Sequence, residues 1–179
     1  NLVGGVLVGF AWQFIFCDVF DSIGELLGIN WLCDWLSTKS TGFWGLVILV
    51  VWQMSGYMML IYIAQIQNIP ENLLESARID GASSFQCFWK IKLPLMMPAF
   101  TIGLFLTLTN CFKLYDQNLT LTGGGPAKST EMLTMDICNT AFSRNMYAMA
   151  QAKGIIFLVV VALITVSQLM FTKSKEVEM

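Results

Sequence analysis

Between Phe43 and Ile66 the chain carries 24 consecutive residues without a charge. About 20 mostly apolar residues suffice for a helix to cross a bilayer. Three further stretches have the same character. Leu2–Phe16 has only Gln13 as a polar side chain, Leu93–Leu114 is opened by Pro94 and Pro98, and Tyr147–Phe171 is densest at Ile155–Ile164. These runs are too long and too continuous for barrel strands, whose apolar residues alternate. The reading is an all-α, multi-pass transmembrane helical bundle with about four spans, near 2–16, 43–66, 93–114 and 147–171.

Composition agrees. Hydrophobic residues make up 56% of the 179 and charged residues 12%, about half the share in an average soluble domain. The net charge of −2 and the lack of a basic cluster argue against nucleic-acid binding. The chain has no His, so neither a His-ligated metal nor a His general base is available. No carboxylate pair lies inside a span. The five cysteines form no CxxC pair and read as apolar fillers. No catalytic residue, metal or cofactor is expected.

Four crossings place both ends on one side, with the loop 67–92. Arg78, Lys90, Lys92, Lys173 and Lys175 fall there, against Lys39, Lys128 and Arg144 opposite. The positive-inside rule then makes that loop and the C-terminus cytoplasmic. Segments 17–42 and 115–146 become outer loops, the first read as a short interfacial helix. Trp12, Trp31, Trp35, Trp44 and Tyr147 are placed near helix ends, where such rings favour the membrane interface. Gly5 and Gly9 form a GxxxG, open to two readings: close helix packing or chance.

The cytoplasmic loop reads as helix, sharp turn, helix. Pro70 suits a first helical turn, Glu71 the positive end of the helix dipole, and Glu75 can pair with Arg78. Gly81, after Asp80, suits a left-handed helix stop. Ser83 or Ser84 can cap a second short helix, and Pro94 would end it and begin the next span.

Glu75-Ser76-Ala77, then Asp80-Gly81, nine residues, and Ile91-Lys92-Leu93-Pro94 resemble the EAA loop of ABC-importer permeases. Only Ser76, where Ala is usual, departs from the pattern. Tyr115-Asp116, Leu121-Thr122-Gly123-Gly124-Gly125-Pro126 and Ser129-Thr130 resemble the outer loop of carbohydrate permeases of the maltose, lactose and glycerol-phosphate type. The resemblance implies docking to a separate ATPase dimer through Glu75, Ser76, Ala77, Arg78, Asp80, Gly81, Leu93 and Pro94. It also implies a second homologous permease subunit, an extracytoplasmic solute-binding protein, surrounding membrane lipid and a bacterial plasma-membrane location.

In such permeases the solute path would involve Val50, Gln53, Met54 and Tyr57 with Thr107, Asn110 and Leu114, the last three taken as one helical face. Gln53 and Asn110 have two readings, sugar contact or interhelical hydrogen bonds. So do Lys113 and Asp116, as interfacial charges or as binding-protein contacts. The sugar substrate is open, and a glycerol phosphate, an amino acid or a channel or scaffold role are the alternatives. The family usually has about six core helices, so earlier ones are expected before Asn1.

Overall fold

The structure, a computed structural model, describes residues 3–173, so the tail expected after Lys173 lies outside the described residues. Among those residues the chain is helical and has no strand. Its helices are α1 (Gly5–Leu27), α2 (Lys39–Gln67), α3 (Glu71–Ile79), α4 (Ser84–Leu95), α5 (Met97–Phe112), α6 (Asp116–Leu121), α7 (Leu133–Cys138) and α8 (Tyr147–Lys173). By length and apolarity α1, α2 and α8 can each cross a membrane, and α4 and α5 pass the same test only together, as a pair bent by 57°.

The contacts divide into two compact units. The first comprises the described residues through Met54 together with Asn110–Val160; the second comprises Ser55–Thr109 and the described residues from Val161.

In the first unit, Val8, Phe16, Leu46, Leu49 and Leu121 form the core. Phe16 is fully buried, stacked on Trp35 with ring centroids 5.1 Å apart and edge-on to Phe20 at 5.2 Å. Burying one such side chain stabilises by about 1.5–3 kcal/mol. Trp12 packs against both Phe16 and Trp52. Trp12 and Trp35 are therefore packing residues, whereas Trp31, Trp44 and Tyr147 stay more than half exposed.

Two sequence expectations change here. Helix α1 does not stop at Phe16 but continues through a wide turn at Ile15–Val19 to Leu27. Asp18 and Glu25 lie exposed on it, and Asp21 accepts a bond from the Asp34 N–H at 2.8 Å. No proline interrupts this stretch, and the helix stops at Gly28, which takes φ +67° at the C-cap. The GxxxG is a contact surface. A Cβ at Gly9 would lie 1.7 Å from the Thr120 Oγ1 of α6, and one at Gly5 would lie 2.9 Å from the Gln117 Nε2. Gly9→Ala is accordingly expected to force α1 and α6 apart and cost about 1–3 kcal/mol. A thermal melt of the purified protein in detergent checks this, and an unchanged midpoint would refute it.

α7 continues through a wide turn at Asn139–Ser143 and is tied to α8. Lys153 Nζ donates to Asp136 at 2.5 Å and to Thr140 Oγ1 at 3.0 Å, with Arg144 3.8 Å from the same carboxylate. The Lys153 bond, ahead of the surrounding positive charges, holds the Asp136 carboxyl below its ordinary range.

In the second unit, Tyr62 of α2 packs against Phe100 of α5 at 5.1 Å, and Gly103 leaves room for the Tyr62 hydroxyl. α4 and α5 meet at Met96 with a bend of 57°. Pro94 therefore does not begin the span, as the sequence suggested. It sits inside α4, just after a wide turn in which the Leu93 N–H reaches back to the Phe88 carbonyl. Pro98 starts α5 instead, at an early position where a missing N–H goes unnoticed. The Leu95 carbonyl at the bend accepts from Gln65 Nε2 at 3.1 Å.

Candidate functional site: an exposed turn and a polar cavity

The exposed turn lies in the second unit. Pro70 is extended (φ −60°, ψ 127°) immediately before α3, one place earlier than expected, and Glu71 occupies the first turn. Helix α3 buries none of its residues. Among the described residues the ion pairs lie elsewhere, and none joins Glu75 to Arg78. Ser76 Oγ donates back to the Asn72 and Leu73 carbonyls at 2.9 and 3.2 Å, so this departure from Ala is absorbed within the helix.

The stop of α3 is a Schellman turn. The Gly81 N–H donates to the Arg78 carbonyl at 3.0 Å and the Ala82 N–H to the Ala77 carbonyl at 2.9 Å, with Gly81 at φ +80°. Asp80 is the C-cap. Two residues on, Ser83 and Gln86 form a reciprocal capping box, the Ser83 N–H donating to Gln86 Oε1 and the Gln86 N–H to Ser83 Oγ. Glu75, Ser76, Ala77, Arg78, Asp80 and Gly81 are thus presented on one short helix and its closing turn, which runs directly into the capped start of α4. Leu93 and Pro94 are half-buried further along α4.

The polar cavity lies in the first unit. Gly5, Val50, Gln53, Met54, Asn110, Lys113, Leu114, Asp116 and Gln117 line a space of about 170 Å³. Buried Gln53 accepts a hydrogen bond from Gln117 Nε2 at 3.0 Å. The structure thus brings together Val50, Gln53, Met54, Asn110 and Leu114. Tyr57 and Thr107 belong to the second unit. Leu114 does not continue the helical face of Thr107 and Asn110, because α5 ends at Phe112 and Leu114 stands in the connector to α6.

The sequence singles out neither Gly5 nor Gln117 as a cavity residue, and it reads Lys113 and Asp116 as interfacial charges or binding-protein contacts; both are exposed and line the cavity. The available signal was the spacing of Asn110, Lys113, Asp116 and Gln117, close enough in sequence to share one corner.

Next to the cavity, Asn118 is completely buried and organises the glycine-rich loop. Its Nδ2 donates to the Thr130 carbonyl at 2.8 Å and to Thr122 Oγ1 at 3.2 Å, while its Oδ1 accepts from the Met132 N–H at 3.2 Å. Thr130 Oγ1 in turn donates to the Gly125 carbonyl at 2.6 Å.

The sequence model of the family described as "Binding-protein-dependent transport system inner membrane component" matches residues 3–176. The chain belongs to this family of membrane permeases. Among its relatives, the probable starch degradation products transport system permease of Thermoanaerobacterium thermosulfurigenes is 53% identical over all of this chain and 61% of its own length. The multiple sugar-binding transport system permease of Streptococcus mutans is 32% identical over 96% of this chain and 61% of its own length. The chain therefore spans about three-fifths of the relatives it matches. A bacterial ABC transporter involved in import of the acidic polysaccharide alginate contains a chain with the same fold, at a TM-score of 0.82 and 21% identity, over 97% of this permease chain and 62% of that one.

Proposed function

We propose that this chain belongs to a permease subunit of an ATP-driven, binding-protein-dependent importer and helps form the path for a sugar or oligosaccharide. Its relatives include permeases named for starch degradation products, multiple sugars and trehalose/maltose, so a starch-derived oligosaccharide is the first candidate. ATP hydrolysis belongs to a separate ATPase dimer. A second permease subunit, an external solute-binding protein and a cytoplasmic C-terminus complete the scheme.

The observation that carries the reading is the exposed 70–83 element, closed by a Schellman turn that leads straight into the Ser83–Gln86 capping box, in a chain of this family. An exposed helix with no buried side chain contributes little to its own fold, but the Schellman turn and the capping box after it fix its junction with α4 in one shape. Rigidity and exposure together suit a part that must transmit force from a soluble motor. Glu75, Ser76, Ala77, Arg78, Asp80 and Gly81, backed by Leu93 and Pro94, are the proposed contacts.

Val50, Gln53, Met54, Asn110 and Leu114, with Lys113, Asp116 and Gln117, are the proposed solute-path residues in the first unit; Tyr57 and Thr107 are proposed for the second. A 170 Å³ space is smaller than the roughly 300 Å³ at which ligand pockets begin. Passage of an oligosaccharide therefore requires the helices to move, as alternating access demands, with ATP favouring one state by differential binding.

The test is uptake into proteoliposomes holding both permeases and the ATPase, supplied with binding protein and a panel of maltooligosaccharides, glycerol 3-phosphate and amino acids. ATP-dependent accumulation of an oligosaccharide is expected. Uptake of glycerol 3-phosphate or an amino acid alone would overturn the sugar assignment. One relative, the sn-glycerol-3-phosphate permease of Brucella abortus, is 31% identical and makes that arm necessary.

A further inference from the structure

Helix α4 has two unlike faces. Gln86, Cys87, Lys90 and Ile91, with Asp80, Gly81 and Ala82, line a groove of about 410 Å³ beside the turn. Phe85, Phe88, Trp89 and Lys92 recur at i, i+3, i+4 and i+7 and form a separate stripe. The three aromatic residues are 72%, 44% and 53% exposed. Their rings touch one another, with centroids 6.0 Å apart for Phe85 and Trp89 and 5.8 Å for Phe88 and Trp89. No acidic residue occurs between Ser84 and Leu95, whereas Lys90 and Lys92 are both cationic.

The 57° bend sets the height of this stripe. If α5 runs along the bilayer normal, α4 climbs only about 0.8 Å per residue, the 1.5 Å helical rise reduced by the cosine of 57°. Trp89 then stands about 5 Å, and Phe85 about 8 Å, above Leu95. The headgroup layer is about 5–8 Å thick on each side. With Leu95 at the edge of the hydrocarbon, the stripe then stays within that layer rather than projecting into water.

We propose that the aromatic face of α4 is an anchor in the lipid headgroup layer. Phe85, Phe88 and Trp89 lie among the upper acyl chains and headgroups, and Lys92 extends to an anionic phospholipid. The aromatic rings suit this layer, and the positive charge suits an anionic leaflet. The anchor fixes the depth and tilt of the Gly81 turn, so that a push on the turn moves α5 instead of sinking α4 into the membrane. The proposal rests on the reading of 67–92 as cytoplasmic, but not on the identity of the solute.

Spin labels report this directly. Phe85→Cys, Trp89→Cys, Arg78→Cys and Ile102→Cys are labelled one at a time in a cysteine-free permease, assembled with its partners in nanodiscs containing phosphatidylglycerol. Collision rates with oxygen, which concentrates in lipid, and with a water-soluble nickel chelate are compared. The oxygen-to-nickel ratio at positions 85 and 89 is expected to be several-fold above that at 78 and below that at 102. A nickel-dominated signal at 85 and 89 overturns the anchor, and so does shielding from both reagents, which would mean a protein partner covers the stripe. A nickel-dominated signal at 102 overturns it by showing that α5 does not span. Shielding of the Arg78 label when the ATPase is added reads the docking proposal separately.

Discussion

Gly81→Val is expected to abolish most ATP-driven uptake while leaving the permease folded and inserted. Gly81 sits at φ +80°, and no atom lies within 4 Å of where its Cβ would be. The penalty is therefore conformational and not a clash inside the chain. A non-glycine residue in the left-handed region costs roughly 1–2 kcal/mol, and a β-branched one has the least tolerance for it. That cost lowers the population of the native turn by a factor of roughly 5–30. The helix itself persists, because the turn supports no core.

Gly81→Asn separates two ways in which the position can act. Asparagine tolerates the left-handed conformation better than other side chains. If the turn's shape is what the ATPase requires, Asn should retain several-fold more transport than Val. If the ATPase surface needs the bare backbone, Asn and Val should fail alike and Gly81→Asp with them. Transport at the wild-type level by Gly81→Val, at equal expression, would remove Gly81 from the coupling element altogether. Basal ATP hydrolysis by the assembled complex shows whether the loss is one of docking or of coupling.

Asn118→Ala is expected to be the most destabilising single change near the cavity. It removes the bonds to the Thr130 carbonyl, Thr122 Oγ1 and the Met132 N–H. Each buried polar group left without a partner costs about 1–3 kcal/mol. The combined loss is about 2–4 kcal/mol, which corresponds to a fall of about 4–16 °C in the melting midpoint. Asn118→Asp should not rescue it, because a carboxylate cannot donate to the Thr130 carbonyl and places a buried charge beside it. A detergent-solubilised permease that melts normally with alanine at 118 would refute this account. The expected consequence for transport is indirect: Gln117, the neighbour of Asn118, donates to Gln53 in the cavity wall.

How far each feature could be read depended on how local its cause is. The turn at Gly81 is closed by bonds between residues five or fewer apart, so the order Ala77, Asp80, Gly81 and Ser83 carries most of its shape. The long uncharged stretches predict helices because only helices and closed barrels satisfy the backbone in lipid, and the runs do not alternate as barrel strands do. The role of Gly5 and Gly9 was undecidable by the same standard. Their partners, Gln117 and Thr120, are more than 100 positions away, and a small-residue pattern does not name the helix that approaches it.

By itself the sequence determined that this is an all-helical membrane chain and where the exposed Gly81 turn lies, since both follow from composition and from spacing within a few residues. Only the tertiary structure decided which polar residues meet. Gln53 and Gln117 are 64 residues apart and hydrogen-bonded; Lys113 and Asp116, exposed as charges at a helix end should be, also line the cavity. It also decided which proline begins the span, because that depends on where a wide turn and the Gln65 side chain can accommodate a broken ladder of hydrogen bonds. Long-range packing assigns such contacts, and no pattern of neighbours along the chain encodes them.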